Sequence, residues 1–188
     1  MHHDIAPEDH DDQAPPPDQT ETQPDFDSRT ALDEPVRPVN WNILTAAEAQ
    51  VEWQDLDAWV DWLRHTYGLP PAVIPPLWHR HDELVWELSA LHLHWLNSYN
   101  PESSASAPLT WHRDFAEAQK RLREWVATSG TKLDRDRPTR QTIWSGETPA
   151  QPGAETVITD RNADFVQFVL TDVAARLRIE DKVHGQAS

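Results

Sequence analysis

Apolar residues recur at alternating spacings of four and three from Ala49 through Trp53, Leu56, Val60 and Leu63 to Tyr67. That period puts them on one face of an α-helix. Thr45-Ala-Ala-Glu48 is a capping-box signature at its start, and Gly68 followed by Pro70 and Pro71 is its stop. Trp59 and Trp62 widen the stripe, so the helix is expected to touch more than one neighbour. Glu52, Asp55, Asp57 and Asp61 lie largely off it. The run Leu69-Pro-Pro-Ala-Val-Ile-Pro-Pro-Leu77 cannot be helical throughout. It reads as a rigid strap laid on the core through Val73, Ile74 and Leu77. A second helix is predicted over Asp82 to Ser98, with Leu84, Leu88, Leu91 and Trp95 on its core face and Val85, His92 and Tyr99 beside it. After a low-complexity loop over 100–109, Thr110 is expected to cap a third helix running to Thr128. Trp111, Phe115, Ala118, Leu122 and Trp125 share its apolar face, and Ser129-Gly130 ends it.

Residues 131–158 carry no period and read as an irregular linker. A fourth helix is predicted from Asn162 to Asp181, capped by Asp160, with Asp164 in its first turn and Arg176, Arg178 and Lys182 near its end, as the helix dipole favours. Phe165, Val166, Val169, Leu170, Val173 and Leu177 make its apolar face. This helix either docks on the core or mediates self-association. Residues 1–40 hold almost no apolar side chains to offset the entropy of ordering and are expected to be a disordered acidic tail, with Phe26 or Val36 to Val39 as a partner-binding variant of that reading. The predicted architecture is all-α: a tail over 1–40, a three-helix Trp-rich core over 41–130, a linker over 131–158 and an appended C-terminal helix over 159–188.

Composition narrows the function. The chain has no cysteine, which excludes disulfides and thiolate chemistry. No stretch approaches the roughly 20 apolar residues that span a bilayer, and the acidic start lacks the apolar region of a signal peptide. The expected location is the cytoplasm, with no membrane partner. The net charge is −16. Residues 1–40 hold 11 acids and 2 bases (−9), residues 41–128 hold 12 and 6 (−6), and the remainder 9 and 8 (−1). A field of this sign repels phosphate backbones and disfavours nucleic-acid binding. The local exception is the basic run from Lys132 to Arg140. Basic residues are 13 Arg against 3 Lys, a bias that points to a GC-rich genome.

Residues 78–95 read Trp-His-Arg-His-Asp-Glu-Leu-Val-Trp-Glu-Leu-Ser-Ala-Leu-His-Leu-His-Trp, and residues 111–114 read Trp-His-Arg-Asp. Together they resemble a family of uncharacterised proteins of actinobacteria, their phages and their plasmids. That family shows a Trp pair, His-Pro-Glu, a Leu-x-x-Leu-x-x-x-Trp helix and, after a loop, Trp-Trp-Arg-Asp. Trp78, His81, Glu83, Leu88, Leu91, Trp95, Trp111, Arg113 and Asp114 take the matching positions. His79 and His112 replace the second Trp of each pair, and the family's closing Gly-Pro-Phe gives way to Ser129-Gly-Thr131. The resemblance covers residues 56–130 and implies an origin in mobile elements, without implying an activity.

Candidate chemistry is thin. His79, His81, His92, His94 and His112 cluster in sequence. His92 and His94 point about 200° apart on a helix and cannot share an ion. A site built from His81, His92 and His112 is the conceivable metal centre, weighed against a core-edge His92 and a solvated His94. Trp111, Arg113 and Asp114 at a helix start suggest either a small-anion pocket or a tryptophan lock between the second and third helices, with Arg113 reaching Glu83 or Glu87. There is no HExxH, no Gly-rich phosphate loop and no GxSxG. The residues singled out for binding are therefore Trp78, His81, Glu83, Trp95, Trp111, Arg113 and Asp114, with no catalytic residue and no cofactor. The expected function is a non-enzymatic accessory protein acting on another protein, with self-association through the last helix open. The alternatives are an acidic DNA mimic, a DNA-binding accessory using residues 132–140, and a histidine-based metalloenzyme.

Overall fold

The computed structural model describes residues 37–139, 141–148 and 153–186. Most of the expected disordered tail, through residue 36, lies outside them, as does Arg140 of the basic run. Four helices dominate: α1 (Ala46–Tyr67), α2 (Asp82–Ser98), α3 (Ala107–Ser129) and α4 (Arg161–Gln186). A single 3₁₀ turn (Trp78–Arg80) precedes α2, and two short strands, β1 (Arg135–Asp136) and β2 (Thr156–Val157), pair antiparallel between α3 and α4. No helix among the described residues is long and apolar enough to cross a membrane.

Local chemistry sets the helix ends. At α1, the Glu48 backbone N–H donates to Thr45 Oγ1 (3.2 Å) while the Thr45 N–H donates to Glu48 Oε2 (2.8 Å). Gly68 closes that helix in the left-handed region at φ 59°, a conformation that costs a side chain free energy. The third helix begins a turn earlier than its sequence suggests. Pro108, with its φ already helical, occupies the first turn, so Thr110 lies inside α3 and Ser106 precedes it without a side-chain cap bond. The fourth helix runs five residues past Asp181, straight through Gly185. Asp160 caps it as expected, accepting from the N–H groups of Asn162 and Ala163.

One hydrophobic core takes side chains from Trp41, α1, the proline strap, α2, α3 and α4. Val73, Ile74 and Leu77 of the strap are buried as predicted. Helices α2 and α3 run antiparallel, with Glu87 against Arg121 and His94 against Asp114. Helix α4 runs antiparallel along α1. Its Arg161 pairs with Asp57, its Asp172 accepts from the Trp53 indole (3.0 Å) and its Glu180 accepts from the Ala46 N–H. The appended C-terminal helix thus docks on the core, one of the two outcomes expected for it, and forms one of its walls. Phe165 and Val169 are buried there and Phe168 and Val173 partly so, whereas Val166, Leu170 and Leu177 face outward. The fold also starts earlier than residue 41, because Val39 packs on the core and Trp41 donates to Ser89 Oγ (2.8 Å) beneath it.

Candidate functional site

The Trp78-His79-Arg80-His81 turn is a four-residue clasp. Trp78 enters the core beside Trp53 and Phe165. His79 is fully buried and shares a 2.8 Å hydrogen bond with Asp164 in the first turn of α4. Arg80 donates to both oxygens of the same carboxylate. The Arg80 guanidinium, with His79, holds Asp164 below the usual carboxylate range, while burial lowers His79. His81 turns the other way. Its Nε2 lies 2.8 Å from Asp136 of β1 and its Nδ1 2.9 Å from Thr139 Oγ1, and the Thr139 hydroxyl donates to Glu83 (2.6 Å). The residues read as an irregular linker are in this way tied to the start of α2.

The seven candidate binding residues fall into four places. Trp78, His81 and Glu83 belong to this clasp, together with Asp136 and Thr139. Trp111 is buried, stacked on Phe115 of its own helix with ring planes 7° apart, and its indole donates to the Tyr67 hydroxyl of α1 (3.2 Å). Arg113 does not reach Glu83 or Glu87. It pairs with its neighbour Asp114, which also lies 3.2 Å from His94. Glu87 takes Arg121 instead, because the antiparallel register of α2 and α3 puts position 121 opposite it.

The candidate metal ligands have three separate surroundings. His81 is in the clasp. His92 is stacked on Trp59 at 4.8 Å, and burial lowers it to about 4, so it is neutral. His112 is exposed beside Tyr67. Among the described residues no group of three His, Cys, Asp or Glu is placed to hold an ion.

Two further aromatic residues, Trp62 and Tyr99, surround the seventh candidate, Trp95. It lies half-buried between Trp62 (4.9 Å between ring centroids) and Tyr99 (5.6 Å), over the buried Trp59. Trp62 is 39% and Tyr99 43% exposed. These rings form a continuous aromatic ridge along the C-terminal halves of α1 and α2. Trp62 was legible only as a widening of the α1 stripe, and Tyr99 only as a flank of α2; their convergence needs the crossing of the two helices. A cleft of about 350 Å³ on the other side of α1 is floored by Val60, Ile74 and Trp78. The arginines on its rim, Arg64 and Arg161, are already paired with Asp61 and Asp57.

No family model, no curated protein and no solved structure matches the chain.

Proposed function

We propose that this protein is a non-enzymatic accessory protein that acts by binding another protein, and that the Trp62–Trp95–Tyr99 ridge is its contact surface. The single observation that carries the reading is the ridge itself. Large rings in mutual contact and left half-exposed are the residues that dominate binding energy at protein interfaces. The polar clusters that would serve an enzyme are instead engaged in holding segments together: the His79, Arg80 and Asp164 group ties down α4, and the His81, Asp136 and Thr139 group ties down β1. The resemblance to proteins of phages and plasmids supports a mobile-element role in the cytoplasm. The basic segment gives less support to DNA contact, since Lys132 and Arg135 both reach Glu155 and Arg135 also binds Asp134.

The test is affinity purification from the native host with the wild-type chain and Trp62→Ala in parallel. A stoichiometric protein partner that falls at least about tenfold with Trp62→Ala is expected, as hot-spot truncations of 1.4 kcal/mol or more produce. Recovery of nucleic acid in place of protein, or of no partner at all, overturns the reading.

A further inference from the structure

Two acidic side chains of α1 lie in line with the aromatic ridge. On α1, positions 52, 55, 59 and 62 follow at spacings of three, four and three, so they share one side of the helix. Trp59 is buried at its centre, Trp62 stands at one end, and Glu52 and Asp55 stand at the other. The remaining acids of α1 are engaged: Glu48 in the cap, Asp57 with Arg161, Asp61 with Arg64. Glu52 and Asp55 alone among them have neither a hydrogen bond nor an ion pair among the described residues. Glu52 is half-buried, and burial there, with repulsion from Asp55, pushes its carboxyl up to about 7. Trp59 Nε1 within the strip and His92 Nε2, stacked on that ring, are likewise buried without a hydrogen-bond partner among the described residues.

We propose that this strip is the docking surface for a basic protein segment, one cation meeting the Glu52 and Asp55 carboxylates and another lying on the Trp62, Trp95 and Tyr99 rings. The proposal rests on the protein-binding reading above and adds the chemistry of the partner. Charge selects that chemistry. A chain of net charge −16 repels a second copy of itself, a phosphate backbone and an anionic membrane surface alike, and attracts Arg and Lys. Aromatic faces add cation–π attraction, strongest for Trp. The geometry adds a register. Asp55 and Trp62 are seven residues apart, about 10.5 Å along the helix axis. A partner helix with basic residues at i and i+7 matches that distance, as does an extended segment with them at i and i+3. A cation on Glu52 also relieves the cost of burying an unpaired carboxylate.

The probe is a fluorescein-labelled, alanine-based helical peptide with two arginines seven residues apart, and its counterpart with two glutamates. Anisotropy is measured at about 150 mM salt, where diffuse attraction between exposed charges is screened beyond about 8 Å. The full chain is expected to bind the arginine peptide and not the glutamate one. Glu52→Gln with Asp55→Asn, and separately Trp62→Ala, should each weaken binding about tenfold or more, a change of 1.4 kcal/mol. Glu124→Gln with Asp181→Asn removes two exposed charges elsewhere and should change it less than about twofold. Circular dichroism confirms that each variant is folded. Equal losses in all three variants, or no binding by the wild type, overturn the proposal. If the partner recovered from the host binds Glu52→Gln with Asp55→Asn as well as it binds the wild type, the basic-segment inference fails and the protein-binding function stands.

Discussion

Glu52 carries a consequence for stability as well as for binding. Its folded-state carboxyl titrates near 7, above the ordinary 4.5, because burial and Asp55 disfavour the anion. The folded protein therefore holds a proton there that the unfolded chain has lost between pH 4.5 and 7. Stability from this group falls as pH rises through that window, and the loss is complete above it. Glu52→Gln removes the slope. It should leave stability unchanged near pH 4 and raise it at pH 8 by about 1–2 kcal/mol, after allowance for the solvent that still reaches the side chain. Urea denaturation at the two pH values measures it, and a variant no more stable than wild type at pH 8 would show Glu52 to be fully solvated. His92 acts with the opposite sign. Lowered to about 4 by burial, it costs stability as pH falls from 6.5. In Glu52→Gln that acid-side loss should stand out. The core-edge place of His92 is legible from its position beside the α2 stripe, whereas the burial of Glu52 is not. Glu52 lies off the α1 apolar stripe in sequence, yet the fold leaves it half-buried. Asp136 and Thr139 are further from reach, since they lie where no period assigns a residue to a face.

Elements with strong local signals were legible to the residue: the capping box and Gly68 bound α1, and α2 occupies its predicted span. The errors fall where signals compete. Thr110 looked like a cap, but Pro108 two positions earlier favours a helix already begun. At α4 the apolar positions in sequence merge two stripes. Packing against α1 uses the one through Phe165, Phe168, Val169 and Asp172, and leaves Val166, Leu170 and Leu177 outside. What fixes α4 is polar, and Asp164 is its anchor. As a first-turn acid it was expected to serve the helix dipole, yet it also receives His79 and Arg80. Asp164→Ala leaves a fully buried imidazole and a guanidinium without their acceptor, so a loss of about 2–4 kcal/mol is expected. Urea unfolding gives the total. Hydrogen exchange should show protection falling further in α4 than in α2. A loss under about 0.5 kcal/mol would mean that apolar packing alone holds α4.

At the scale of the whole molecule, charge and chain order combine. The all-α class was legible because helical periods recur with clear stops. For α4 the sequence left docking and self-association open, because about 30 residues of aperiodic chain separate it from α3, and its contacts with α1 and with His79 and Arg80 show where it lands. Residues 1–36 contain 11 acids and one base, or −10, so the rest of the chain carries −16 + 10 = −6. The first side chain seen to pack on the core is Val39. Removal of residues 1–36 should therefore leave the melting temperature within a few degrees of the full chain while removing most of the negative charge. That variant is also the sharper test of nucleic-acid binding. In the full chain a net −16 opposes any phosphate contact, so failure to bind duplex DNA says little about the 132–140 segment. In the shortened chain the opposing charge is less than half, and the segment is free to show what it can do. Its Lys132 and Arg135 remain paired with Glu155, and each broken pair would offset part of the counterion release that drives DNA binding. Both chains should thus fail to shift duplex DNA at about 150 mM salt. Binding at micromolar concentration by the shortened chain alone would identify residues 1–36 as a mask over a DNA-binding surface, and would displace the protein-binding reading.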